Sequence, residues 1–113
     1  MKKELKRKKL PPIHPGEILR ERLLIPRDIS PQELAAALKV PKEQIKWVCE
    51  ERADITPDLA ARLALYFDST AEFWLNLQRS YEEEVARERT ELLKEKITPY
   101  KEKRGISKYA SAH

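Results

Sequence analysis

Apolar positions recur at helical spacing in five groups along the chain, and between them stand residues that start and stop helices. The best defined stretch is SPQELAAALKVPKEQIKWVCEE, residues 30–51. Ser30 is a good N-cap, Pro31 suits the first helical position, and Glu33 completes an S-x-x-E capping box. Leu34, Ala35 and Leu38 share one face of the helix that follows, and Ala36 and Ala37 are small enough to let a second helix approach. Val40 and Pro41 end the first helix and open the next. There Ile45, Val48 and Cys49 point inward, leaving Lys42, Glu43, Gln44, Lys46 and Trp47 outside. Two short helices with a buried seam and a protruding polar face have the layout of a helix-turn-helix, or of a plain helical hairpin in an all-α core.

The remaining elements flank this pair. Pro11, Pro12 and Pro15 hold off helix until residues 14–16, after which Ile18, Leu19, Leu23 and Leu24 predict an amphipathic helix ending before Pro26. Residues 51–55 read as an exposed loop. Thr56-Pro57-Asp58 is a second start signal, followed by a core stripe of Leu59, Leu63, Tyr66 and Phe67 that stops at Asp68-Ser69. Thr70 opens the last and longest helix, in which Phe73, Trp74, Leu77, Tyr81, Val85 and Leu92 keep helical spacing beyond what a small core needs. Two arrangements satisfy that excess. Either Trp74, Leu77, Tyr81 and Val85 form the interface of a symmetric dimer, or Phe73 and Trp74 close the monomer core and the remainder frays.

Composition narrows the class. At 113 residues, 41% of them hydrophobic, the chain suits one modest core with tails: a basic arm at residues 1–12, a domain at 13–95 and a basic tail at 96–113. No run has the apolar length of a membrane span or a signal-peptide core, so a soluble cytoplasmic protein is expected. Net charge is +4, but residues 1–9 carry six basic and one acidic side chain and residues 96–113 five and one. Residues 10–95 carry twelve basic and seventeen acidic, so basicity resides in the tails and the total is weak support for DNA binding. The arm suits either phosphate contact or solubility.

Cys49 is the sole cysteine and reads as a small core residue, with a reactive thiol as the alternative. With only His14 and His113 there is no metal-site spacing, and no cofactor motif is present. His14 beside Glu17 is the one histidine–carboxylate neighbourhood, and it stands at a helix start, where a structural role outweighs catalysis; the chain does not read as an enzyme.

Several motifs together are more specific than any one helix. The run His14-Pro15-Gly16-Glu17-Ile18-Leu19, the helix pair, Ile55-Thr56-Pro57-Asp58, and Ala71-Glu72-Phe73-Trp74-Leu75-Asn76-Leu77-Gln78 with Tyr81 closely resemble the HigA (VapI-like) antitoxins of the XRE or Cro/C1-type helix-turn-helix proteins, over about residues 13–86. The resemblance implies an all-α, five-helix lambda-repressor-like domain with an extended C-terminal helix. It also implies a homodimer that binds double-stranded operator DNA of its own operon and neutralises a HigB-type toxin that cleaves mRNA on ribosomes. The family's DNA-contacting helix falls on Lys42 to Lys46, with Gln32 as a phosphate contact and Glu43 and Trp47 on the same outward surface. Gln44 would bond an adenine edge or a phosphate; Lys42 and Lys46 would reach guanine or the backbone.

The chain departs from that pattern in three places. Lys39 stands where relatives often have glycine in the turn, Glu50-Glu51 where they have glycine after the helix, and Trp47 at a position usually polar. Both missing glycines predict left-handed backbone at residues bearing a Cβ, at about 1 kcal/mol each. Glu43, Glu50 and Glu51 also place negative charge near the phosphate track, so a protein-interaction module on the same fold is the competing reading. For a toxin surface the candidates are Glu82, Glu83, Glu84 and Glu88, an exposed first helix with Arg20 and Arg22, or either tail.

Overall fold

The computed structural model describes residues 11–101, and within them all regular structure is helical. Helix α1 spans residues 15–27, α2 is Pro31–Leu38, α3 Lys42–Cys49, α4 Pro57–Phe67 and α5 Ala71–Leu93. The three polar start signals act as their chemistry requires. Ser30 Oγ accepts from Glu33 N–H (3.0 Å) while the Glu33 carboxylate accepts from Ser30 N–H (2.8 Å). Thr56 and Thr70 each cap with the side-chain oxygen, accepting from Leu59 and Phe73 N–H at 3.1 Å.

Helix α1 does not end before Pro26 as expected; it continues through the proline to Arg27. Its middle, Leu19–Leu24, is a π-helix, with Ile25 N–H reaching back to the Arg20 carbonyl. Pro26 supplies no N–H for the Arg22 carbonyl one turn earlier. The Arg27 guanidinium substitutes, donating to the carbonyls of Arg22 (3.2 Å) and Leu23 (3.3 Å), so the helix absorbs the proline.

Four helices close in one way although the whole chain has two glycines. Asp28, Lys39, Glu51 and Asp68 have φ of 56–64°, in the left-handed region. The amide after each bonds a carbonyl five residues back: Ile29 to Leu24, Val40 to Ala35, Arg52 to Trp47 and Ser69 to Ala64, at 2.7–3.0 Å. The strain expected at Lys39 and in the Glu50-Glu51 pair is therefore present, and in the pair it falls on Glu51.

The core gathers Leu19 and Leu24 from α1, Leu34 and Leu38 from α2, Ile45 and Val48 from α3, Leu59 and Leu63 from α4, and Trp74 from α5. Ile55 joins it and Ala53 packs partly against it, so the loop after α3 is exposed at Glu51, Arg52 and Asp54. Tyr66 departs from its predicted stripe and lies half exposed, because Leu59, Leu63 and Phe67 already occupy the inward face of α4. Trp74 is 0% exposed, with its indole N–H on Ser69 Oγ (3.3 Å). That corrects its assignment to a dimer interface: α1 and α4 bury it within one chain. Leu77 packs partly on the same core, and the ring of Tyr81 meets His14 edge-on at 4.8 Å, while Val85 and the residues of α5 after it are mostly exposed.

Two contacts hold α1 against the end of α3. The Gly16 N–H donates to Nδ1 of the buried His14 (2.8 Å), which makes His14 the N-cap of α1. A Cβ on Gly16 would lie 1.8 Å from the Val48 carbonyl oxygen, so only glycine permits this approach. Nearby, Arg20 bonds the Cys49 carbonyl.

Candidate nucleic-acid interface

The outward surface is built by the α2–α3 pair. Leu34, Ala35 and Leu38 face Ile45 and Val48, and the Lys39 turn sets the second helix across the first. Arg62 of α4 bonds the Leu38 carbonyl (2.7 Å) and Asp58 (2.8 Å), fixing the end of α2 beside that turn. Helix α3 begins at Pro41 without a side-chain cap, so its first-turn amides and the positive end of its dipole are left for an anion.

Four of the six sequence-predicted DNA residues come together: Gln32, Lys42, Glu43 and Lys46, with Pro31, line one cleft of about 350 Å³ between the start of α2 and the face of α3. Trp47 is 46% exposed on the same helix, outside that cleft. Gln44 is partly buried and does not line it, which leaves Gln44 the least accessible of the set.

The acidic residues that oppose a phosphate track prove mostly paired. Glu50 meets Arg52 at 3.3 Å and Glu51 meets Arg20 at 3.5 Å, both in solvent-exposed pairs, whereas Glu43 is in no ion pair among the described residues. The negative charge of Glu50 and Glu51 is thus partly offset locally, whereas that of Glu43 is not. Arg20, offered above as part of a toxin surface, is instead tied to Cys49, Glu21 and Glu51. Arg22 remains exposed, as do Glu82, Glu83, Glu84 and Glu88 along α5. The arm to residue 10 and the tail from residue 102 lie outside the described residues.

Burial pushes the Cys49 thiol upward in pKa, against the pull of Arg20, which fits a packed core residue and not a nucleophile. Burial likewise lowers His14, and Glu51, Asp54 and a backbone hydrogen bond to Ala53 only partly oppose it. A neutral His14 capping α1 is a structural group, as its position at the helix start suggested. Sequence reasoning missed Gln78. It is buried, its Oε1 accepts from Ile55 N–H (2.8 Å) and its Nε2 donates to Glu82 (2.9 Å), so it pins the α3–α4 loop to α5. A glutamine four residues before a glutamate, on the stripe of Trp74 and Tyr81, was the available signal.

No protein-family model matches the chain. Individual relatives do. Over 77 residues the chain is 46% identical to virulence-associated protein I of Dichelobacter nodosus, spanning 68% of this chain and 71% of the relative. The Pseudomonas aeruginosa antitoxin HigA, solved with the higBA promoter, is 44% identical and superposes over 78% of this chain and 97% of its own, with a TM-score of 0.71. The chain belongs to the HigA family of helix-turn-helix antitoxins. A HigA-family addiction-module antidote protein from Coxiella burnetii agrees, at 39% identity, 80% of this chain, all of its own length and a TM-score of 0.70. The HigA-type five-helix fold expected from the motifs is thereby established, as is the long fifth helix. Among the described residues, no helix is long and apolar enough to cross a membrane.

Proposed function

We propose that this HigA-family chain is a cytoplasmic, homodimeric antitoxin that represses its own operon by binding operator DNA and neutralises a HigB-type toxin. The observation that carries the DNA half is the cleft at the joint of α2 and α3. It unites Gln32, Lys42 and Lys46 at an uncapped helix start, and the similar P. aeruginosa HigA was solved with promoter DNA. Lys42 and Lys46 neutralise phosphates or reach guanine edges, Gln32 holds the backbone, and Gln44, Glu43 and Trp47 line the approach to the bases. Relatives that are antitoxins and regulators, not enzymes, agree with a binding role and no catalytic one.

The exposed Glu43 and Trp47 favour a second reading, a toxin-binding module without sequence-specific DNA recognition. Fluorescence anisotropy on the DNA upstream of the gene separates the two. The repressor reading expects a preference over scrambled DNA, affinity that falls steeply with salt, and loss of the preference in the Lys42→Ala/Lys46→Ala double variant. Equal affinity for both DNAs sinks it and leaves the module. Toxin neutralisation is tested apart from DNA: co-expression should rescue growth of cells making the toxin, and the double variant should rescue equally well.

A further inference from the structure

Helix α5 outruns the core it packs on. Its inward seam is Trp74, Gln78, Tyr81, Val85, Glu88 and Leu92, at alternating spacings of four and three. Trp74 and Gln78 are buried and Tyr81 is half-buried, but every residue from 82 to 92 is exposed, Val85 at 38% and Leu92 at 69%. The seam therefore runs on past the last described residue that covers it. Isolated helices shorter than about 12–15 residues are marginal in water, so a projecting half-helix of that length gains from any strap laid along it. Acid follows the same line. Glu88 lies within the seam, and Glu84 and Glu91 flank it one turn before and one turn after. Glu91 meets Lys94 at 3.2 Å, whereas Glu84 and Glu88 are in no ion pair among the described residues.

We propose that the basic arm, residues 1–10, straps this exposed half of α5 in its own chain, seating its leucines on Val85 and Leu92 and its cations on Glu84 and Glu88. Charge selects the occupant. A second α5 would set acid against acid, and phosphate is repelled by the same carboxylates. Residues 5–10, Leu-Lys-Arg-Lys-Lys-Leu, interleave apolar and cationic side chains as the seam requires. The arm is also tethered where the seam loses its cover: the His14 ring meets Tyr81 edge-on at 4.8 Å, and the first turn of α1 packs on α5. Ten residues reach up to about 33 Å when extended, against about 17 Å of helix from Tyr81 to Leu92. A short tether supplies an effective concentration on the order of millimolar, so a few weak contacts suffice to hold it. The strap goes beyond the repressor reading, because an arm held on α5 is withheld from operator phosphate until salt or a competing polyanion releases it.

Paramagnetic relaxation in the full chain, without DNA, decides it independently of any operator binding. Cys49 is buried, so a nitroxide on Glu4→Cys labels the arm alone. At low salt the amides of residues 84–92 should lose most of their intensity relative to the ascorbate-reduced sample, while those of α2 and α3 keep theirs. Adding Glu84→Lys and Glu88→Lys, both at exposed positions, should restore the α5 signals. High salt should do the same. Undiminished α5 signals, loss on the Lys42–Lys46 face instead, or broadening that survives the double substitution overturns the proposal. Mixing isotope-labelled wild type with unlabelled nitroxide-bearing chains should broaden nothing; α5 broadening in that mixture as strong as in the single chain assigns the arm to a second copy and overturns it as well.

Discussion

Replacing Lys39 with glycine should stabilise the domain. Lys39 has φ of 63° and ψ of 46°, a region that places its Cβ too close to the following carbonyl and costs about 1–2 kcal/mol for an L-residue. Aspartate at the equivalent positions 28 and 68 tolerates this backbone better than lysine does. Glycine removes the clash but enlarges the conformational freedom of the unfolded chain, a loss of about 0.4–1 kcal/mol. The net gain is then about 0.5–1 kcal/mol. In a domain of this size that shifts Tm by about 2–8 °C. Lys39 is exposed and makes no ion pair among the described residues, so little else is lost.

Urea unfolding followed by circular dichroism measures the difference, and Lys39→Ala is the decisive control. Alanine removes the charge and the long side chain but keeps the Cβ, so it should give no gain. Equal stabilisation by alanine and glycine would refute the strain argument and point to charge relief. A glycine variant no more stable than wild type would refute it as well, by showing that the turn carries no excess energy. Glu51→Gly is the less clean experiment, because it also removes the pair with Arg20.

Three further outcomes follow from single contacts. Gly16→Ala should cost at least about 3 kcal/mol or prevent folding, since its Cβ meets the Val48 carbonyl, a backbone atom that cannot swing aside; thermal unfolding reads it directly. Gln78→Leu should cost about 1–3 kcal/mol in urea unfolding, because the buried Ile55 amide loses its acceptor. His14 should make stability fall with acid: its pKa is lowered in the fold, so the neutral ring's contribution is complete above about 6.5 and is lost as pH falls below that value through the folded pKa. Comparing urea midpoints at pH 7.5 and 5.5, the wild type should lose more than His14→Asn, whose side chain still caps α1 but does not titrate in that range (pH values chosen about one unit either side of 6.5).

What could be read from the sequence depended on how far apart the interacting residues are. Caps at Ser30, Thr56 and Thr70 act on amides three residues on, and the outward position of Lys42, Lys46 and Trp47 follows from helical period alone, so both were legible. Left-handed backbone at Lys39 and Glu51 was legible too, but only through the family resemblance that marked the missing glycines. Period could not say what lies opposite a stripe. Trp74 and Tyr81 sit on one seam of α5, yet α1 and α4 cover the first, which serves the chain's own core, and His14 meets the ring of the second, which stays partly exposed.

The same distance dependence separates the parts of the reading surface. Its residues were visible locally, whereas the contacts that orient it join positions about thirty residues apart: Gly16 against the Val48 carbonyl, Arg20 on the Cys49 carbonyl and on Glu51. Both lie at the C-terminal end of α3, and both come from the first turns of α1. The start of α1 therefore sets the angle at which α3 leaves the core without lining the cleft of Gln32, Lys42 and Lys46. Glu51, which looked adverse as a bare charge beside phosphate, contributes to that joint through Arg20. Weakening the joint should alter operator affinity without touching Lys42 or Lys46, because a helix held less firmly loses part of its binding energy in ordering. Arg20→Met tests this: it keeps the aliphatic stem, removes the bonds to Cys49 and Glu51 along with the local one to Glu21, and should lower operator affinity while leaving the salt dependence unchanged. A reduced salt slope would show that Arg20 contacts phosphate directly and would overturn the joint as the explanation.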